Sequence, residues 1–383
     1  MQLRADKERF YAADYPPEFR LDPGDLLIAM TDLTQSSPIL GSPLVVPADR
    51  TYLHNQRLGK IVITDDQRLD RHFAYFLFAS DVIRSQLRGS ATGSTVRHTA
   101  PGRICASRIK LPPLSTQCKI AAILSAYDDL IENNNRRIKI LEEMAQRIYR
   151  EWFVEFRYPG HQGVPLADSE LGPIPEGWEV EPLVAVCDVM QAGGTPSRAD
   201  AAYWDDGTVD WFKTTELQDG FLQHSVERVS SAALTARKTR LFPDETILMA
   251  IYGAPTVGRM GVLTADGCCN QAALALRADE ARLPQSILYY ALAELRGHFN
   301  SIAQGAAQQN ISKEKVAGTK VVCPPAEIAR TWTKTVESNW QQRRTLTRTL
   351  STLAATRNLL LPRLVSGEID VDDLDIAVPD LAA

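Results

Sequence analysis

Residues 116–157 read TQCKIAAILSAYDDLIENNNRRIKILEEMAQRIYREWFVEFR, and this stretch decides the architecture of the chain. Apolar side chains recur at spacings of three and four residues, and charged side chains occupy the opposite positions, which is typical of an amphipathic helix. At about 1.5 Å per residue such a helix is roughly 60 Å long, so its apolar stripe needs an equally long partner. The packing residues predicted for this helix are Ile120, Ile123, Leu124, Tyr127, Leu130, Leu141, Met144, Ile148 and Trp152.

A second stretch of the same kind supplies the partner. Residues 327–365 read EIARTWTKTVESNWQQRRTLTRTLSTLAATRNLLLPRLV, again with apolar steps of three, four and seven. Each stripe passes through an asparagine, Asn134 or Asn339, a residue that can fix the register of a coiled coil at some cost in stability. The two helices are therefore predicted to form a rod. The packing residues predicted for the second helix are Trp332, Val336, Leu346, Leu350, Leu353, Leu360 and Leu364.

The remaining sequence contains an internal repeat. LDPGDLLIAMT from Leu21 matches LFPDETILMAI from Leu241 as a turn followed by a strand, and each copy continues into a second strand and a short helix. A Gly-rich polar loop follows, GSATGSTVRHTAPGR in one copy and QGAAQQNISKEKVAG in the other, and then a short strand that ends in Pro-Pro. The predicted order is globular domain, helix, globular domain, helix, with strands and helices mixed in an α+β fold.

The two copies differ in extent. The second copy has an opening section, residues 173–220, that has no counterpart before Leu21. Either the first domain has diverged to a smaller form or it lacks its N-terminal part; we expect the second, because a half-sized barrel or sandwich would leave strand edges unpaired. A Pro- and Gly-rich connector, RYPGHQGVPLADSELGPIPEGW, is predicted to link the copies.

Composition limits the class of protein. A chain of 383 residues with 44% hydrophobic and 23% charged residues is typical of two or three ordinary globular domains. A net charge of −5 neither indicates nor excludes a nucleic-acid partner, because electrostatic footprints are local. We expect a cytoplasmic protein without membrane contact, since no apolar run could span a bilayer and MQLRADKERF lacks a signal-peptide core. The six cysteines and six histidines show no metal-ligand spacing, so no metal site is expected.

Sequence motifs argue against catalysis by this chain. A DNA adenine methyltransferase needs an Asn/Asp-Pro-Pro-aromatic motif, and the nearest run, YPPE at 15–18, lacks both ends. The chain has no G-x-x-x-x-G-K-[ST] phosphate loop, and the Pro-Asp pair at 243–244 fits a turn better than a nuclease motif. Acidic pairs at 128–129 and 142–143, like the basic clusters at 136–139, 237–240 and 343–348, are predicted to lie on solvated faces.

Several segments together resemble a specificity subunit of a type I restriction-modification enzyme. They are the helix exit IYREWFVEFRYPG, the lead-in SELGPIPEGW followed by AGGTPS at 192–197, the loop GAAQQNIS and the C-terminal LLLPRLVSGEI. The order, spacing and duplication of these segments carry the resemblance, which covers essentially the whole chain.

The resemblance implies two strand-rich target-recognition domains separated by two long antiparallel helices, with a pseudo-twofold internal repeat. The helices form a coiled-coil spacer in this family. In this chain the implied parts are a shortened first domain at 1–114, a helix at 115–157, a linker at 158–171, a second domain at 172–325, a helix at 326–366 and a tail at 367–383.

The resemblance also implies a non-catalytic function. Each domain would read one half of a bipartite double-stranded DNA target, and the helices would dock modification subunits, two of which are expected. Those subunits would bind S-adenosylmethionine and methylate adenine, and a separate restriction motor subunit would translocate and cut DNA, so no cofactor is expected in this chain. Two other hypotheses stay open: a coiled-coil scaffold that reads no DNA, and a self-contained restriction or modification enzyme.

The predicted DNA-contacting residues lie in loops, where Gln and Asn can pair with adenine and Arg or Lys with guanine or phosphate. Turn geometry also accounts for the glycines, and a helix cap or turn for residues 308–310. In the second domain the candidates are Gly193, Gly194, Thr195, Arg198, Lys213, Thr214, Thr215, Tyr252, Gly253, Arg259, Gln308, Gln309, Asn310 and Lys313. In the first domain they are Thr31, Thr34, Gln35, Thr95, Arg97 and His98.

Overall fold

A computed structural model of the chain describes residues 9–94, 96–253, 256–305 and 310–378. Its contacts divide the chain into two units. The first consists of the described residues up to 132 and from 352 onward, and the second of 133–351. Both boundaries fall within the long helices, so the units are not continuous segments, and the predicted domain bounds stay a prediction. Within the described ranges, no helix combines the length and apolarity needed to cross a membrane.

The first unit is built around a small antiparallel sheet. Strands β2 and β4 pair with each other, β6 lies on the other side of β2, and β1–β5 and β3–β7 form separate pairs. Phe73 and Leu77 of α1 and Leu87 of α2 pack in the core of this unit. The elements are β1 Arg20–Leu21, β2 Leu26–Ala29, β3 Thr31–Asp32, β4 Pro43–Val45, β5 Tyr52–Leu53, β6 Leu58–Ile61, α1 Arg71–Ala79, α2 Asp81–Ser90, β7 Arg97–His98 and α3 Pro101–Cys105.

Two long helices follow the two copies of the repeat. α4 is the helix Leu114–Tyr149, and a π-helical turn, Arg150–Val154, continues it. α9, Ala326–Val365, follows the second copy.

The second unit has a larger β-structure. A five-stranded sheet has the order β11–β18–β15–β16–β13, a three-stranded sheet has the order β14–β12–β17, and β10 pairs with β19. The central strand β15 is wholly buried, which explains its continuous apolar run ILMA. The elements are β8 Leu166–Ala167, β9 Ile174–Pro175, β10 Glu179–Pro182, β11 Cys187–Ala192, β12 Val209–Phe212, β13 Phe221–Leu222, β14 Glu227–Val229, α5 Ser231–Thr235, β15 Ile247–Ala250, β16 Met260–Leu263, β17 Cys268–Cys269, β18 Ala273–Ala278, α6 Gln285–Glu294, α7 Arg296–Ile302, α8 Lys313–Gly318 and β19 Lys320–Cys323.

α4 and α9 pack antiparallel. Within the second unit Glu142 pairs with Arg343, whereas Trp152, in the turn that continues α4, packs on Trp332 with ring centroids 5.9 Å apart. Residue numbers thus rise along one helix as they fall along the other. Asn339 Nδ2 donates a hydrogen bond to the carbonyl of Leu141 at 2.9 Å. In the first unit Arg357 of α9 forms an ion pair with Asp128 of α4. The amide of Asn339 bonds the backbone of the opposite helix, which is the kind of contact by which an asparagine can fix register.

The packing stripe predicted for α4 is wrong at two positions. Leu130 and Met144 are each 50% exposed, whereas their neighbours Ile131 and Ala145 are half-buried and buried. Neighbouring residues lie ~100° apart around a helix, and the series through Leu130 and Met144 has the same seven-residue repeat as the series through Ile131 and Ala145. Periodicity alone therefore did not show which of the two series faces the core. The other predicted packing residues of both helices are buried or half-buried: Ile120, Ile123, Leu124, Tyr127, Leu141, Ile148, Trp152, Trp332, Val336, Leu346, Leu350, Leu353, Leu360 and Leu364.

The internal repeat is visible in individual hydrogen bonds. Two backbone hydrogen bonds of the first unit have counterparts in the second. The bond from Gly41 N to Ala29 O corresponds to that from Gly258 N to Ala250 O, and the bond from Thr99 N to Met30 O corresponds to that from Ile311 N to Ile251 O. Gly41 and Gly258 both have a positive φ, of +76° and +79°. A Cβ at Gly41 would meet Leu87, and one at Gly258 would meet Arg296, on the corresponding helices α2 and α7. The two copies are therefore built on the same turn as well as the same strands.

Candidate nucleic-acid interface

The predicted loops of the second unit meet at one end of its β-structure. β11, β12 and β15 end there, and β18 begins there. The turn at 270–273, between β17 and β18, lies at the centre of this end. Backbone bonds tie the loops to the turn and to one another: Gly193 N to Ala273 O at 3.1 Å, Asn270 N to Phe212 O at 3.0 Å, Ile251 N to Ala272 O at 2.9 Å and Ile311 N to Ile251 O at 2.9 Å. Segments far apart in sequence thus form one surface, which we call the second loop surface.

Gly193 and Gly194 serve the packing of this surface. A Cβ at Gly193 would lie 2.1 Å from the carbonyl oxygen of Cys269, and one at Gly194 would lie 2.7 Å from that of Lys238. The indole nitrogen of Trp211 also donates to the Gly194 carbonyl at 2.9 Å. Close approach within the protein is therefore sufficient to require glycine at both positions, and it brings the basic segment 237–240 beside the predicted loop.

Arg198 and Lys213 share one carboxylate. The Arg198 guanidinium donates two hydrogen bonds to Glu227, at 3.1 and 2.8 Å, and Lys213 Nζ lies 3.0 Å from the same carboxylate. The guanidinium also stacks 3.7 Å from the centroid of the Trp204 ring. The bonds from Arg198 and Lys213 hold the pKa of Glu227 below its ordinary value. Two cations are thus held in fixed positions with an excess of positive charge.

Hydroxyl and amide groups lie beside these charges. The Thr195 hydroxyl bonds the side-chain oxygen of Gln271, and both residues are exposed. Thr214 and Thr215 lie on a short 3-10 turn that follows β12. Glu216 fixes this turn by accepting 2.8 Å bonds from the backbone N–H groups of residues 213 and 226. Sequence reasoning missed Gln271; the polar pair Asn-Gln immediately before an apolar strand was the available signal.

The loop after β15 forms the other side of the second loop surface. Tyr252 is 41% exposed and pairs with Asn310 across an isolated β-bridge. Gly253 has φ +91° and accepts a 2.7 Å bond from the Thr256 hydroxyl. Arg259 and Lys313 make no side-chain hydrogen bond or ion pair within the part of the chain that the structure describes. Gln308 and Gln309 lie outside the described residues.

The structure brings the candidates of the first unit together in the same way. β3 pairs with β7, so that Thr31 lies opposite His98, and the Thr31 hydroxyl lies 3.1 Å from His98 Nδ1. Gln35 Nε2 donates to the Ser94 carbonyl at 3.1 Å, and Arg97 donates to a carbonyl at the end of α2. We call this group, with Thr34, the first loop surface. Thr95 lies outside the described residues.

A buried carboxylate, Asp32, organises the first loop surface. Asp32 Oδ1 accepts bonds from the backbone N–H of Thr34 at 2.9 Å and from its hydroxyl at 2.8 Å, and Oδ2 accepts from the N–H of Ile39 at 2.7 Å. Burial raises the pKa of Asp32, but these hydrogen bonds outweigh burial and leave the pKa below its ordinary value. Sequence reasoning missed Asp32, although an aspartate two residues before a threonine at a strand end is typical of an Asx turn.

These side chains suit recognition better than bond-making chemistry. Amides, hydroxyls, guanidinium and ammonium groups match the donors and acceptors of base edges and phosphates. In the described ranges no group of three or more His, Cys, Asp or Glu side chains could hold a metal ion. A duplicated α+β unit with a polar loop surface in each copy, followed in each copy by a long helix, defines a bivalent recognition protein.

The chain belongs to the family described as the type I restriction modification DNA specificity domain, whose model matches residues 14–143 and 175–349. It is 23% identical over 343 residues to the type I restriction enzyme MjaIX specificity subunit of Methanocaldococcus jannaschii, covering 89% of this chain and 78% of that protein. It is 22% identical over 322 residues to the HindI specificity subunit of Haemophilus influenzae, covering 68% and 69%.

The fold is also similar to that of a solved structure. The crystal structure of the S subunit of the M. genitalium type I restriction-modification system matches with a TM-score of 0.55 and 15% identity, covering 89% of this chain and 83% of that one. At this identity the match shows the fold alone, and it agrees with the predicted α+β architecture.

Family membership settles the class of function. The chain is a DNA-recognition subunit of a type I restriction-modification system, and specificity subunits of such systems are non-catalytic. DNA, methyltransferase subunits and restriction subunits are the partners that this membership implies. The scaffold hypothesis and the self-contained enzyme hypothesis are accordingly not favoured.

Proposed function

We propose that the first and second loop surfaces each read one half of a bipartite double-stranded DNA target. The observation that carries this proposal is the recurrence of a polar loop surface at the same place in both copies, after the strands β2 and β15. Two readers joined by helices of fixed length engage two half-sites only at a fixed separation. The second contact is then intramolecular, which raises affinity by effective concentration.

In this proposal some side chains of the second loop surface contact base edges and others contact phosphates. Arg198 is held flat on Trp204 by Glu227, so little side-chain freedom is lost when it reaches a guanine edge. Asn310, Gln271 and the hydroxyl of Thr195 offer amide and hydroxyl groups to base edges. Arg259 and Lys313, whose side chains form no hydrogen bond or ion pair in the described part of the chain, contact phosphates in this proposal.

The long helices dock two modification subunits in this proposal. Ile140 and Met144 of α4, both in the second unit, are large apolar side chains that each expose about half of their surface. They lie four residues apart, so they are neighbours on one helix face and form a small apolar patch that can pack against another protein. The docked subunits carry S-adenosylmethionine, a restriction motor subunit completes the complex, and the complex works in the cytoplasm.

The experiment that tests the reading function is selection from random DNA by the purified chain in complex with its modification subunits. The expected result is a two-part sequence with a constant unread gap. Affinity for it should fall steeply with salt, since Lys and Arg contacts to phosphate release counterions. An Arg198→Ala variant should lose one position of one half-site, whereas Arg330→Ala, at an exposed cation of α9, should change nothing. Binding without sequence preference would contradict the proposal.

A further inference from the structure

The second unit contains a polar junction between α9 and the base of the central strand β15. Trp340 Nε1 donates to Glu245 Oε2 at 3.0 Å, and Arg344 Nη1 donates to Glu245 Oε1 at 2.5 Å. Arg344 also pairs with Asp244. The turn after β16 also contacts α9 here: Arg344 and Arg348 each donate a hydrogen bond to the Thr264 carbonyl, at 3.1 and 3.0 Å. We call Trp340, Arg344, Asp244 and Glu245 the base clamp.

The acceptors of the base clamp are themselves held rigidly. Glu245 has a positive φ of +66°, in the left-handed region that non-glycine residues rarely occupy. Its N–H donates to the Leu263 carbonyl at 3.0 Å, and its carbonyl accepts from Gln285 Nε2 at 2.7 Å. The turn is therefore fixed to β16 and α6, and a backbone in this region persists only where its surroundings hold it. Helix α9 is thus bonded to a part of the sheet that has little freedom to move.

The base clamp and the second loop surface lie at opposite ends of β15. Residues 244–245 precede this strand by one residue, Thr246, and Tyr252 follows it after one residue. The four residues of β15 span roughly 13 Å, so the segment that connects the base clamp to the loops is short, and its place in the centre of the sheet makes it rigid. A change of angle at the clamp is therefore carried to the loops that face DNA.

Among the residues that the structure describes, the first unit has no equivalent of this clamp. The hydrogen bonds of the repeat differ from the sequence match by one residue and make Gly24 the counterpart of Glu245, since Gly24 N bonds the Val46 carbonyl as Glu245 N bonds that of Leu263. Both long helices begin directly after a Pro-Pro pair, and counting from Pro113 and Pro325 makes Asp128 and Glu132 the counterparts of Trp340 and Arg344. Glycine has no side chain to accept a bond, and a carboxyl group has no N–H to take the place of the indole and guanidinium donors. The clamp is therefore a feature of the second copy that the shared fold does not require.

We propose that Trp340 and Arg344 are positioning residues that fix the angle of the second loop surface on α9 and so restrict the target to one gap length. This inference rests on the proposed reading of a bipartite target. Adding one base pair to the gap moves a half-site by roughly 3.4 Å and rotates it by about 34° around the DNA axis. A stiff clamp rejects that rotation, and a loosened clamp tolerates part of it.

The test is methylation by the assembled complex on plasmids whose half-sites are separated by the natural gap or by one base pair fewer or more. Arg344→Met removes the ion pairs but keeps the aliphatic stem, and Glu245→Gln weakens the same contact from the sheet side. Both should raise methylation of the altered gaps relative to the natural gap by about tenfold, the effect of losing one charge-assisted bond. Arg344→Lys should give a smaller change, because an ammonium cannot hold both carboxylates as a guanidinium does.

The control is Arg330→Met, an exposed position on the same helix, which should leave the ratio between gap lengths unchanged. A parallel loss of methylation at every gap in both folded variants would overturn the proposal, since that result means a role in stability alone. If the unaltered complex shows no two-part target at all, the proposed function fails, and that failure is distinct from failure of the clamp. Thermal unfolding first confirms that each variant is folded. If Arg344→Met does not fold, Glu245→Gln and Arg344→Lys are compared instead: a raised ratio of methylation at the altered gaps supports the proposal, and a parallel loss at every gap overturns it.

Discussion

Arg343 of α9 and Glu142 of α4 form an ion pair in the interior of the second unit, where the guanidinium also donates to the Tyr290 hydroxyl at 2.7 Å. Arg343 is only 1% exposed, and the rings of Phe221, Tyr289 and Trp340 surround it. The sequence pattern had placed both charges on solvated helix faces, and for this pair it was wrong. The pair joins the two long helices to each other and to α6.

Removing one partner of this pair should be costly. Arg343→Met leaves Glu142 without its cation in a partly buried site, and we expect a loss of about 3–5 kcal/mol in the free energy of unfolding at pH 7. The double variant Arg343→Met/Glu142→Leu should recover most of that loss, because it leaves no uncompensated charge. Urea unfolding of the three chains measures both effects. A double variant that is as unstable as the sum of the single changes would contradict this account.

The same variant should show a defined dependence on pH. Burial raises the pKa of Glu142, and Arg343 opposes that rise, so without Arg343 the pKa should rise further. A carboxyl with a raised pKa in the folded state binds its proton more tightly there than in the unfolded chain, so it destabilises the fold above that pKa. The deficit of Arg343→Met relative to the unaltered chain should therefore be full above the raised pKa that Glu142 has in the folded variant, and it should shrink as pH falls through that value, above the ordinary glutamate pKa. A deficit that grows on acidification would exclude this cause.

The stabilisation that Asp32 gives to the first loop surface should depend on pH in the opposite direction to the effect of Glu142. Asp32→Asn replaces a carboxylate that accepts several hydrogen bonds, and we expect a loss of about 1–3 kcal/mol at pH 7. The pKa of Asp32 is lowered in the folded state, so its stabilisation is complete above the ordinary aspartate pKa and disappears as pH falls through the lower folded value. The stabilities of the variant and the unaltered chain should begin to converge below about pH 4 and should meet below the folded-state pKa of Asp32. Ser36→Ala in the same loop serves as a control.

Two arginines of the second loop surface should affect DNA binding differently. Arg198→Ala should relax specificity at one base pair by about 1–3 kcal/mol, because a guanidinium that reads a base edge carries sequence information. Arg259→Ala should weaken all sequences alike and reduce the salt slope by about one, as expected for a phosphate contact. Fluorescence anisotropy on matched and mismatched duplexes at several salt concentrations separates the two effects. Identical behaviour of both variants would contradict the proposed division.

Exposed apolar residues of α4 should be needed for partner binding but not for folding. Ile140→Glu and Met144→Glu change solvent-exposed helix positions, so each should shift the free energy of unfolding by no more than about 0.5 kcal/mol. Both should nonetheless reduce co-purification with the modification subunit, because a charge would have to be buried at the interface. Lys139→Glu tests whether charge reversal beside this surface is sufficient. Unchanged association in the two apolar variants would place the docking site elsewhere.

The sequence was informative where a pattern repeats locally. The turn and strand at Leu21 recur at Leu241, and the heptads of both long helices are continuous, so the duplicated order could be predicted without coordinates. The exposure of Leu130 and Met144 could not be predicted, because the neighbouring positions along the helix carry apolar residues with the same seven-residue repeat. Glu142 and Arg343 looked like surface charges because their burial depends on Tyr290 and Phe221, which are distant in sequence.

The candidate site was predicted in part for a similar reason. Each loop was visible as a polar segment after a strand, but their convergence depends on strand order, which places the turn at 270–273 between them. Gln271 and Asp32 therefore went unnoticed, and the glycines at 193 and 194 have a packing role that only the neighbouring backbone reveals. Which of these residues contact bases stays a prediction.

The most direct test of a DNA-recognition subunit is a single-molecule methylome of the host with and without this gene. We predict that deletion removes adenine methylation at a two-part motif with a constant gap, and that the gene restored on a plasmid returns it. Such a result would supply the target sequence and the gap length together. An unchanged methylome in a host whose modification subunits are expressed would contradict the central claim that this chain selects the DNA sequence.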